Sequence, residues 1–251
     1  MIEALKPIFS GPWEPFLALT ALPDDPRPSI PMREALSRDG LDAALAIAAR
    51  VYGDQDRRGL VSLWSMQHAY VAMTGAVVAS LALEIDLPVR LDETRLVMED
   101  GLPAAIVVPH QGERRSYDCA FQRFERLVEG QVAPVVEALS ACAKISPKVL
   151  WNNAANFFEY VLQEMERRPD AFPDAAARGR PLVAEPLRPD GARNRFYNPV
   201  RYVDVGDPIA RWRNVCCLRH LLPEFEGYCA NCPHRLKELQ GVPSCATAAE
   251  L

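Results

Sequence analysis

The sequence lacks the motifs and the charge balance of several common functional classes. It has no Gly-x-Gly-x-x-Gly turn and no Walker loop, so it gives no sign of its own nicotinamide, flavin or ATP site. Its formal net charge is −5, whereas nucleic-acid-binding domains usually carry a basic surface, so no nucleic-acid partner is expected. Internal repeats and low-complexity tracts are also missing. With 49% apolar and 24% charged residues, the composition is that of a soluble globular protein.

The sequence also lacks a convincing targeting or membrane-spanning segment. Residues 1–15 contain one basic residue and three prolines, which do not make a signal peptide. The longest run without charged residues, 59–83, is long enough to cross a bilayer. Polar residues interrupt it at Ser62, Ser65, Gln67, His68, Thr74 and Ser80. We therefore predict a core helix and a cytoplasmic protein, with peripheral attachment to the inner face of the cytoplasmic membrane as the alternative.

Apolar periodicity predicts a predominantly α-helical α+β fold with a small antiparallel hairpin. Helical spacing marks residues 60–85, 117–143 and 146–168, and a short helix is expected at 233–240. Ser146 followed by proline is a typical helix start. Alternating apolar residues predict the hairpin at about 88–108 and a strand at 200–205. We expect a proline-rich N-terminal arm at 1–40, then one helical domain at 41–251 with a cysteine-rich segment at 211–235.

Four of the seven cysteines, Cys216, Cys217, Cys229 and Cys232, fall within seventeen residues. In a reducing compartment these are unlike a disulfide framework, and their density predicts a metal or cluster site. Structural zinc sites usually use two Cys-x-x-Cys-like knuckles, and an adjacent pair makes none. A [2Fe–2S] cluster requires two thiolates for each iron. The pattern therefore favours an iron–sulfur cluster, with zinc as the alternative.

The adjacent pair poses a geometric problem, because neighbouring side chains diverge on a helix and on a strand. Cys216 and Cys217 can bind one small cluster only if the backbone turns sharply or the two sulfurs reach different irons. The sequence leaves both possibilities open.

Other polar and sulfur-containing residues admit more ordinary interpretations. His68 lies on the apolar helix and is expected to be a satisfied core histidine rather than a ligand. Trp151 is expected in the core rather than stacked on a substrate. Cys119 and Cys142 fall on predicted helices as buried apolar residues, and Cys245 has no partner at metal-binding spacing.

Three amides, Asn152, Asn153 and Asn156, lie on one predicted helix. Those that face the interior need hydrogen-bond partners, and bridging to the cysteine segment would provide them.

Arginines outnumber aspartates seven to three between residues 188 and 220. One interpretation is a surface that steers an acidic electron carrier or an anionic ligand. The other is a solvated loop with weakly paired charges. The seven are Arg188, Arg193, Arg195, Arg201, Arg211, Arg213 and Arg219.

The C-terminal segment resembles the signature of the FhuF-like siderophore-iron reductases. The positions that match this signature are Arg213, Cys216, Cys217, Leu218, Cys229, Cys232 and Pro233. Residues 146–155 also look like that family's Leu-Trp-Gly-Asn helix. The resemblance is good from about residue 120 to 240 and weak before 110. The chain departs from the pattern in an eleven-residue spacer where ten are expected, in His220 for an aromatic residue, and in Asn152 for glycine.

The resemblance implies an oxidoreductase, a ferric-siderophore reductase with one [2Fe–2S] cluster held by the four cysteines. Hard oxygen ligands hold Fe(III) far more tightly than Fe(II), so one electron is enough to loosen the iron. Expected tuning or contact residues are Arg213, Arg219, His220, Asn152 and Arg201. Electrons would come from an external ferredoxin or flavodoxin-type carrier. The alternatives are a non-catalytic binding protein stabilised by zinc on the four cysteines, and an iron–sulfur electron carrier for another acceptor.

Overall fold

The computed structural model describes residues 2–206 and 210–241. The α-helices of this part are α1 (Met32–Ala35), α2 (Arg38–Tyr52), α3 (Arg57–Leu83), α4 (Ala120–Arg123), α5 (Glu125–Leu127), α6 (Ala133–Cys142), α7 (Pro147–Glu166), α8 (Pro181–Ala184) and α9 (Pro233–Leu239). The strands are β1 (Thr20–Ala21), β2 (Ser29–Pro31), β3 (Ile85–Asp86), β4 (Arg95–Glu99), β5 (Leu102–Val107), β6 (Glu113–Arg114), β7 (Val200–Tyr202) and β8 (Arg211–Arg213). Short 3-10 turns lie at Glu3–Leu5, Gly11–Leu19, Ala176–Arg178 and Arg219–Leu221.

Helix α3 is the central element of the fold. Within the described part it is the one helix long and apolar enough to span a membrane, yet 72% of its most apolar window is buried inside the protein. Most of its surface is covered, which is typical of a core helix. Asp56 caps its first turn, its carboxylate accepting from the backbone N–H of Arg58.

Helix α7 packs along α3 and is clearly amphipathic. Ser146 occupies the N-cap position with extended backbone angles, but its hydroxyl makes no capping hydrogen bond. Pro147 is the first helical residue, a position that suits proline. The aromatic ring of Phe158 is fully buried in edge-to-face contact with Phe124, at a centroid separation of 4.8 Å. The helix therefore shares one core with α3.

The main sheet has four strands in the order β1-β5-β4-β2. Strands β4 and β5 form an antiparallel hairpin with a register shift between Val97 and Met98. Strand β1 joins β5 in parallel, which the sequence did not reveal because β1 has only two residues. The mostly helical α+β fold class is confirmed.

The sequence predicts that the helical segment 117–143 is divided at Gly130 and Pro134, and the structure divides it elsewhere. Helices α4 and α5 are separated at Phe124, where the backbone leaves the helical region. A π-helical turn at Val128–Val132 then leads into α6 without a break. Pro134 sits in the first turn of α6, where it is tolerated, rather than dividing a helix.

One large cluster of buried apolar residues runs through the described chain. It includes Ile2, Leu5 and Phe9 from the N-terminal residues as well as Leu222 near the cysteine segment. The division into an arm at 1–40 and a domain at 41–251 stays a prediction.

A buried carboxylate fastens the β7–β8 ribbon to α7. Glu159 is 2% exposed and accepts from Arg211 Nε at 2.5 Å, from Arg180 Nη1 at 3.0 Å and from the hydroxyl of Tyr202 at 2.5 Å. Burial alone would raise the pKa of Glu159, but Arg211, Tyr202 and Arg180 outweigh it and hold the pKa below its ordinary value.

We expect Glu159→Gln to lower the free energy of unfolding by about 3 kcal/mol at pH 7, because it leaves two half-buried arginines, Arg180 and Arg211, without their buried carboxylate. A lowered carboxyl pKa stabilises the fold above the ordinary value of 4.5, and the benefit is lost as pH falls through the folded value. The gap between wild type and variant should therefore narrow below about pH 4.5 in urea titrations. Glu166→Gln, which removes an exposed partner of Arg180, is the control and should cost under about 1 kcal/mol. Equal costs for the two variants would contradict the assignment.

Candidate metal centre

The cysteine segment leaves strand β8 and turns back on itself between its two pairs of cysteines. Leu218, directly after the adjacent pair, has φ of 58°, in the left-handed region that side chains rarely occupy. Its N–H points at Cys216 Sγ, 3.4 Å away. Cys232 is the N-cap residue of α9, and Pro233 begins that helix. The sharp turn that an adjacent pair needs is therefore present.

The four sulfurs come together as two pairs. Cys217 Sγ lies 3.8 Å from Cys229 Sγ, and Cys216 Sγ lies 4.0 Å from Cys232 Sγ. Each pair joins one member of the adjacent dipeptide to one member of Cys-x-x-Cys. The two neighbouring side chains thus diverge toward different partners.

These separations suit two thiolates on one tetrahedral metal ion. Metal–sulfur bonds of about 2.3 Å at tetrahedral angles place two sulfurs about 3.8 Å apart. Among the described residues, no three His, Cys, Asp or Glu side chains surround a single point that would hold an ion. Two pairs side by side therefore fit a two-iron cluster better than one zinc ion.

Burial makes negative charge on these thiols costly. Hydrogen bonding to Cys229, together with burial, holds the pKa of Cys217 above its ordinary value. The hydrogen bond from Cys232 lowers the pKa of Cys216, and the same contact raises that of Cys232 to about 11. Four thiolates at this site require compensating positive charge, as a metal centre would provide.

One such charge belongs to the protein itself. Arg213 is 4% exposed, and burial lowers the pKa of its guanidinium against the attraction of the neighbouring thiols. It donates to the side-chain oxygen of Asn153 and, at 3.2 Å, to the carbonyl of Val215. Its backbone N–H donates to the carbonyl of Asn231 at 2.9 Å, which ties β8 to the Cys-x-x-Cys loop.

Asn153 connects the centre to the core helices. Its amide nitrogen donates to Ser62 Oγ at 2.9 Å and to Ser65 Oγ at 2.7 Å, both on α3. The hydroxyl of Ser62 in turn donates to the carbonyl of Cys217 at 2.5 Å. Sequence reasoning treated both serines as interruptions of an apolar run. The available signal was two hydroxyls three residues apart, on one face of a helix otherwise apolar there.

A close approach lets the cysteine segment reach α3. A Cβ atom at Gly59 would lie 2.9 Å from Cγ of Leu222, so the absence of a side chain is needed there. Leu222 itself is buried in the core cluster. The cysteine segment is thus anchored to α3 at two points: Leu222 packs against Gly59, and the carbonyl of Cys217 accepts a hydrogen bond from Ser62.

Of the other two amides of the helix, Asn152 has structural partners, whereas the side-chain oxygen of Asn156 is buried with no hydrogen-bond partner among the described residues. Asn152 donates to the carbonyl of Pro199 at 3.0 Å, and its oxygen lies 3.5 Å from Arg213 Nη2. The backbone carbonyl of Asn156 accepts from Arg211 Nη2 at 2.8 Å. The bridge between these amides and the cysteine segment, which the sequence suggested, runs through Asn153 and Asn152.

His220 and Arg219 lie on the outer side of the centre. His220 Nδ1 is 3.6 Å from Cys216 Sγ, and its ring meets Tyr228 edge to face at 5.0 Å. Tyr228 stacks on His234 at 5.0 Å. The guanidinium of Arg219 lies 4.6 Å over the ring of Phe225. Arg201 is exposed on β7, opposite Trp212.

The arginine-rich stretch divides into structural and solvent-facing residues. Arg211 forms an ion pair with Glu159, and Arg188 forms one with Glu129. Arg213 is buried and donates to Asn153. Arg193 and Arg195 are exposed. The uniform basic surface considered from the sequence is therefore reduced to a few positions.

The remaining candidates have structural surroundings. His68 is 2% exposed, stacks on Trp64 and contacts the amide of Gln131 at 3.1 Å, and burial lowers its pKa to about 3. Trp151 is buried at 7% exposure. Cys119 and Cys142 are half-buried rather than buried as expected. Cys245 lies outside the described residues.

Two family models match the chain. The first, described as "Ferric iron reductase FhuF-like transporter", covers residues 62–208, and the second, the "FhuF 2Fe-2S C-terminal domain", covers 213–234. A relative named "Ferric siderophore reductase" from Escherichia coli (strain K12) is 25% identical over 219 residues, which are 83% of this chain and 81% of the relative.

Solved structures with a similar fold are larger proteins. Aerobactin synthetase IucA of a hypervirulent Klebsiella pneumoniae pathotype superposes with a TM-score of 0.51 at 13% identity over 76% of this chain. Aerobactin synthetase IucC from the same source gives a TM-score of 0.49 at 14% identity over 70% of this chain. The chain spans only 38% and 37% of their lengths.

The four cysteines and Arg213 lie inside the second family match, and α7 and most of α3 lie inside the first. The chain belongs to the FhuF-like ferric iron reductase family and carries that family's [2Fe–2S] C-terminal domain.

Proposed function

We propose that this protein reduces ferric siderophores by one-electron transfer, with Cys216, Cys217, Cys229 and Cys232 holding its [2Fe–2S] cluster. The observation that carries the proposal is the pairing of the four sulfurs at 3.8 and 4.0 Å within the segment that matches the [2Fe–2S] domain. The similarity to a ferric siderophore reductase supports the choice of substrate.

The chemistry requires one electron and no bond-making by side chains. When bound, a [2Fe–2S] cluster supplies single electrons at potentials set by charge, hydrogen bonds and exposure. One electron converts Fe(III) to Fe(II), which hard oxygen ligands hold far less tightly. The residues of this chain hold the thiols together, shield them from water and set the local charge.

Arg213 is the residue best placed to set that charge. It is buried, its side chain donates to Asn153, and its backbone N–H binds the Cys-x-x-Cys loop. A fixed positive charge near the thiols stabilises the reduced, more negative state. His220 approaches Cys216 from the outer side and is the second candidate for this role.

The electron donor is an external carrier of the ferredoxin or flavodoxin type. The sequence contains no nucleotide-binding motif that would let the protein take electrons from NADH or a flavin directly. Of the residues expected to contact a donor or substrate, Arg201 and Arg219 remain candidates on the outer surface.

We expect protein purified without oxygen to be reddish, to bleach with dithionite and to contain about two irons per chain. Cys229→Ser should abolish the visible bands and the bound iron, because one iron loses a ligand. Cys119→Ser, at a half-buried cysteine outside the segment, is the matched control and should keep both. Optical spectra and metal analysis provide the measurement.

Two results would overturn the proposal. A colourless protein with one zinc per chain would support the alternative of a binding protein stabilised by zinc on the four cysteines. Reduced protein that fails to release Fe(II) from ferric siderophores to an Fe(II) chelator would support the alternative of an electron carrier for another acceptor.

The pairing of sulfurs has its own consequence in the metal-free protein. We expect mild oxidation by diamide to form disulfides within the pairs 217–229 and 216–232, because their sulfurs lie 3.8 and 4.0 Å apart. Peptide mapping by mass spectrometry distinguishes them from a bridge within Cys-x-x-Cys. A dominant bridge between Cys229 and Cys232 would argue against the assignment of one such pair to each iron.

Arg213→Gln should lower the reduction potential of the cluster, because a buried positive charge is removed. If the reduced state loses about 1.4 kcal/mol of electrostatic stabilisation, the one-electron potential falls by about 59 mV. Arg213→Lys keeps the charge and should shift the potential less. Potentiometric titration followed by optical spectra measures both, and iron content shows whether each variant has assembled. An unchanged potential in a fully loaded Gln variant would remove Arg213 from this role.

A further inference from the structure

A large groove opens beside the cysteine segment. It has a volume of about 1250 Å³ and lies between α6, α7 and the loop at residues 193–198. Ligand pockets in proteins usually enclose about 300–1000 Å³, so the groove has room for a metal chelate of siderophore size. None of the four cysteines lines it.

One end of the groove is formed by the segment that carries the thiols. Asn214 and Val215 line it, and Val215 directly precedes Cys216. Asn152, which contacts Arg213 at 3.5 Å, also lines it. Consecutive Cα atoms are about 3.8 Å apart, so a ligand at this end lies against the backbone of the cluster segment.

The groove carries more positive than negative side chains. Its basic residues are Arg33, Arg90, Lys148, Arg193 and Arg195, and its acidic residues are Asp92, Glu129 and Glu137. The protein as a whole has a net charge of −5, so this positive excess is local. A concave surface with one sign of charge concentrates ligands of the opposite sign.

Two of the three acidic residues are already compensated. Asp92 lies 3.6 Å from Arg90 and 4.0 Å from Arg33. Glu129 pairs with Arg188. The third, Glu137, forms no salt bridge within the described part of the chain. Arg193, Arg195 and Lys148 form none there either, so theirs are the positive charges of the groove that are least offset.

Arg195 is held in place by an aromatic side chain. Its guanidinium lies 4.9 Å from the ring centroid of Trp151, which is itself buried in α7. A guanidinium positioned in advance loses less conformational entropy when it binds a carboxylate or another oxyanion. Trp151 is mostly buried, but its ring lines the groove and holds the guanidinium of Arg195.

We propose that this groove binds the ferric chelate and selects chelates with net negative charge, such as those carrying free carboxylates, over neutral ones. The inference rests on the proposed function for the nature of the substrate. Binding there places the iron complex next to Val215, the residue that precedes Cys216, and leaves His220 and Tyr228, which do not line the groove, for the electron donor.

Gallium(III) chelates test the groove without electron transfer, because gallium(III) is not reduced under these conditions. The probes are an anionic gallium(III) citrate complex and a neutral gallium(III) trihydroxamate, and calorimetry measures their binding to the intact protein. We expect at least about tenfold tighter binding of the anionic probe, since one good charged hydrogen bond is worth about that factor. Its affinity should fall as salt is raised.

Variants locate the site. Arg193→Gln combined with Arg195→Gln should weaken the anionic probe by about 100-fold, about tenfold for each charge, and leave the neutral probe unaffected. Both residues are exposed, so folding should be retained. Arg167→Gln is the control, a single charge removed from an exposed residue on a different surface that pairs with Glu164. It should change neither affinity.

Equal affinity for the two probes, or an anionic probe indifferent to the Arg193 and Arg195 variants, would overturn the inference about the groove. If reduction of ferric chelates still occurred, the proposed function would stand without it. Charge-selective gallium binding in a protein that does not reduce ferric chelates would instead leave the groove as a chelate site and remove the reductase function.

Discussion

A guanidinium buried beside four thiols must find its hydrogen-bond acceptors inside the protein, and the contact between α3 and α7 supplies them. Asn153 receives Arg213 on its oxygen and gives both N–H groups to Ser62 and Ser65. Ser62 then holds the carbonyl of Cys217. An unpaired group anywhere in this chain of contacts would be costly, since burial removes the compensating water. The hydrogen bonds that the buried Arg213 guanidinium requires thus fix the position of the cysteine cluster.

The same helix contact explains why so apolar an element carries polar residues. Helix α3 is covered on most of its surface, and two of its three serines, Ser62 and Ser65, lie where it meets Asn153 and the cysteine segment. Glu159, further along α7, plays a comparable part for the β7–β8 ribbon that leads into the segment. The helix α7 therefore holds the C-terminal region at two buried polar points, one at the ribbon and one at the cysteine segment.

The sequence predicts the helices and strands that depend on local apolar spacing, but not the contacts between residues far apart in the chain. The core helix, the hairpin region and the helix after Ser146 follow from apolar spacing, with ends that differ by a few residues. The cysteine spacing pointed to a cluster because ligands for one site lie close in sequence. The role of Ser62 was missed, since its partner Cys217 is 155 residues away. The groove was missed for the same reason: Arg90, Lys148 and Arg195 share no sequence signal and meet only in the fold.

Because the sulfurs pair across the two motifs, a metal centre held by them would cross-link the chain as well as transfer electrons. Each pair joins residues 12 or 16 positions apart, so the adjacent dipeptide and Cys-x-x-Cys each contribute one sulfur to each pair. A centre bound in this way closes two nested loops and restricts the unfolded chain much as a pair of cross-links would. Helix α9 follows Cys232 directly and packs mainly against β8. Its attachment to the protein would then be strongest in the metal-loaded state, which couples the order of the C-terminal region to the supply of iron.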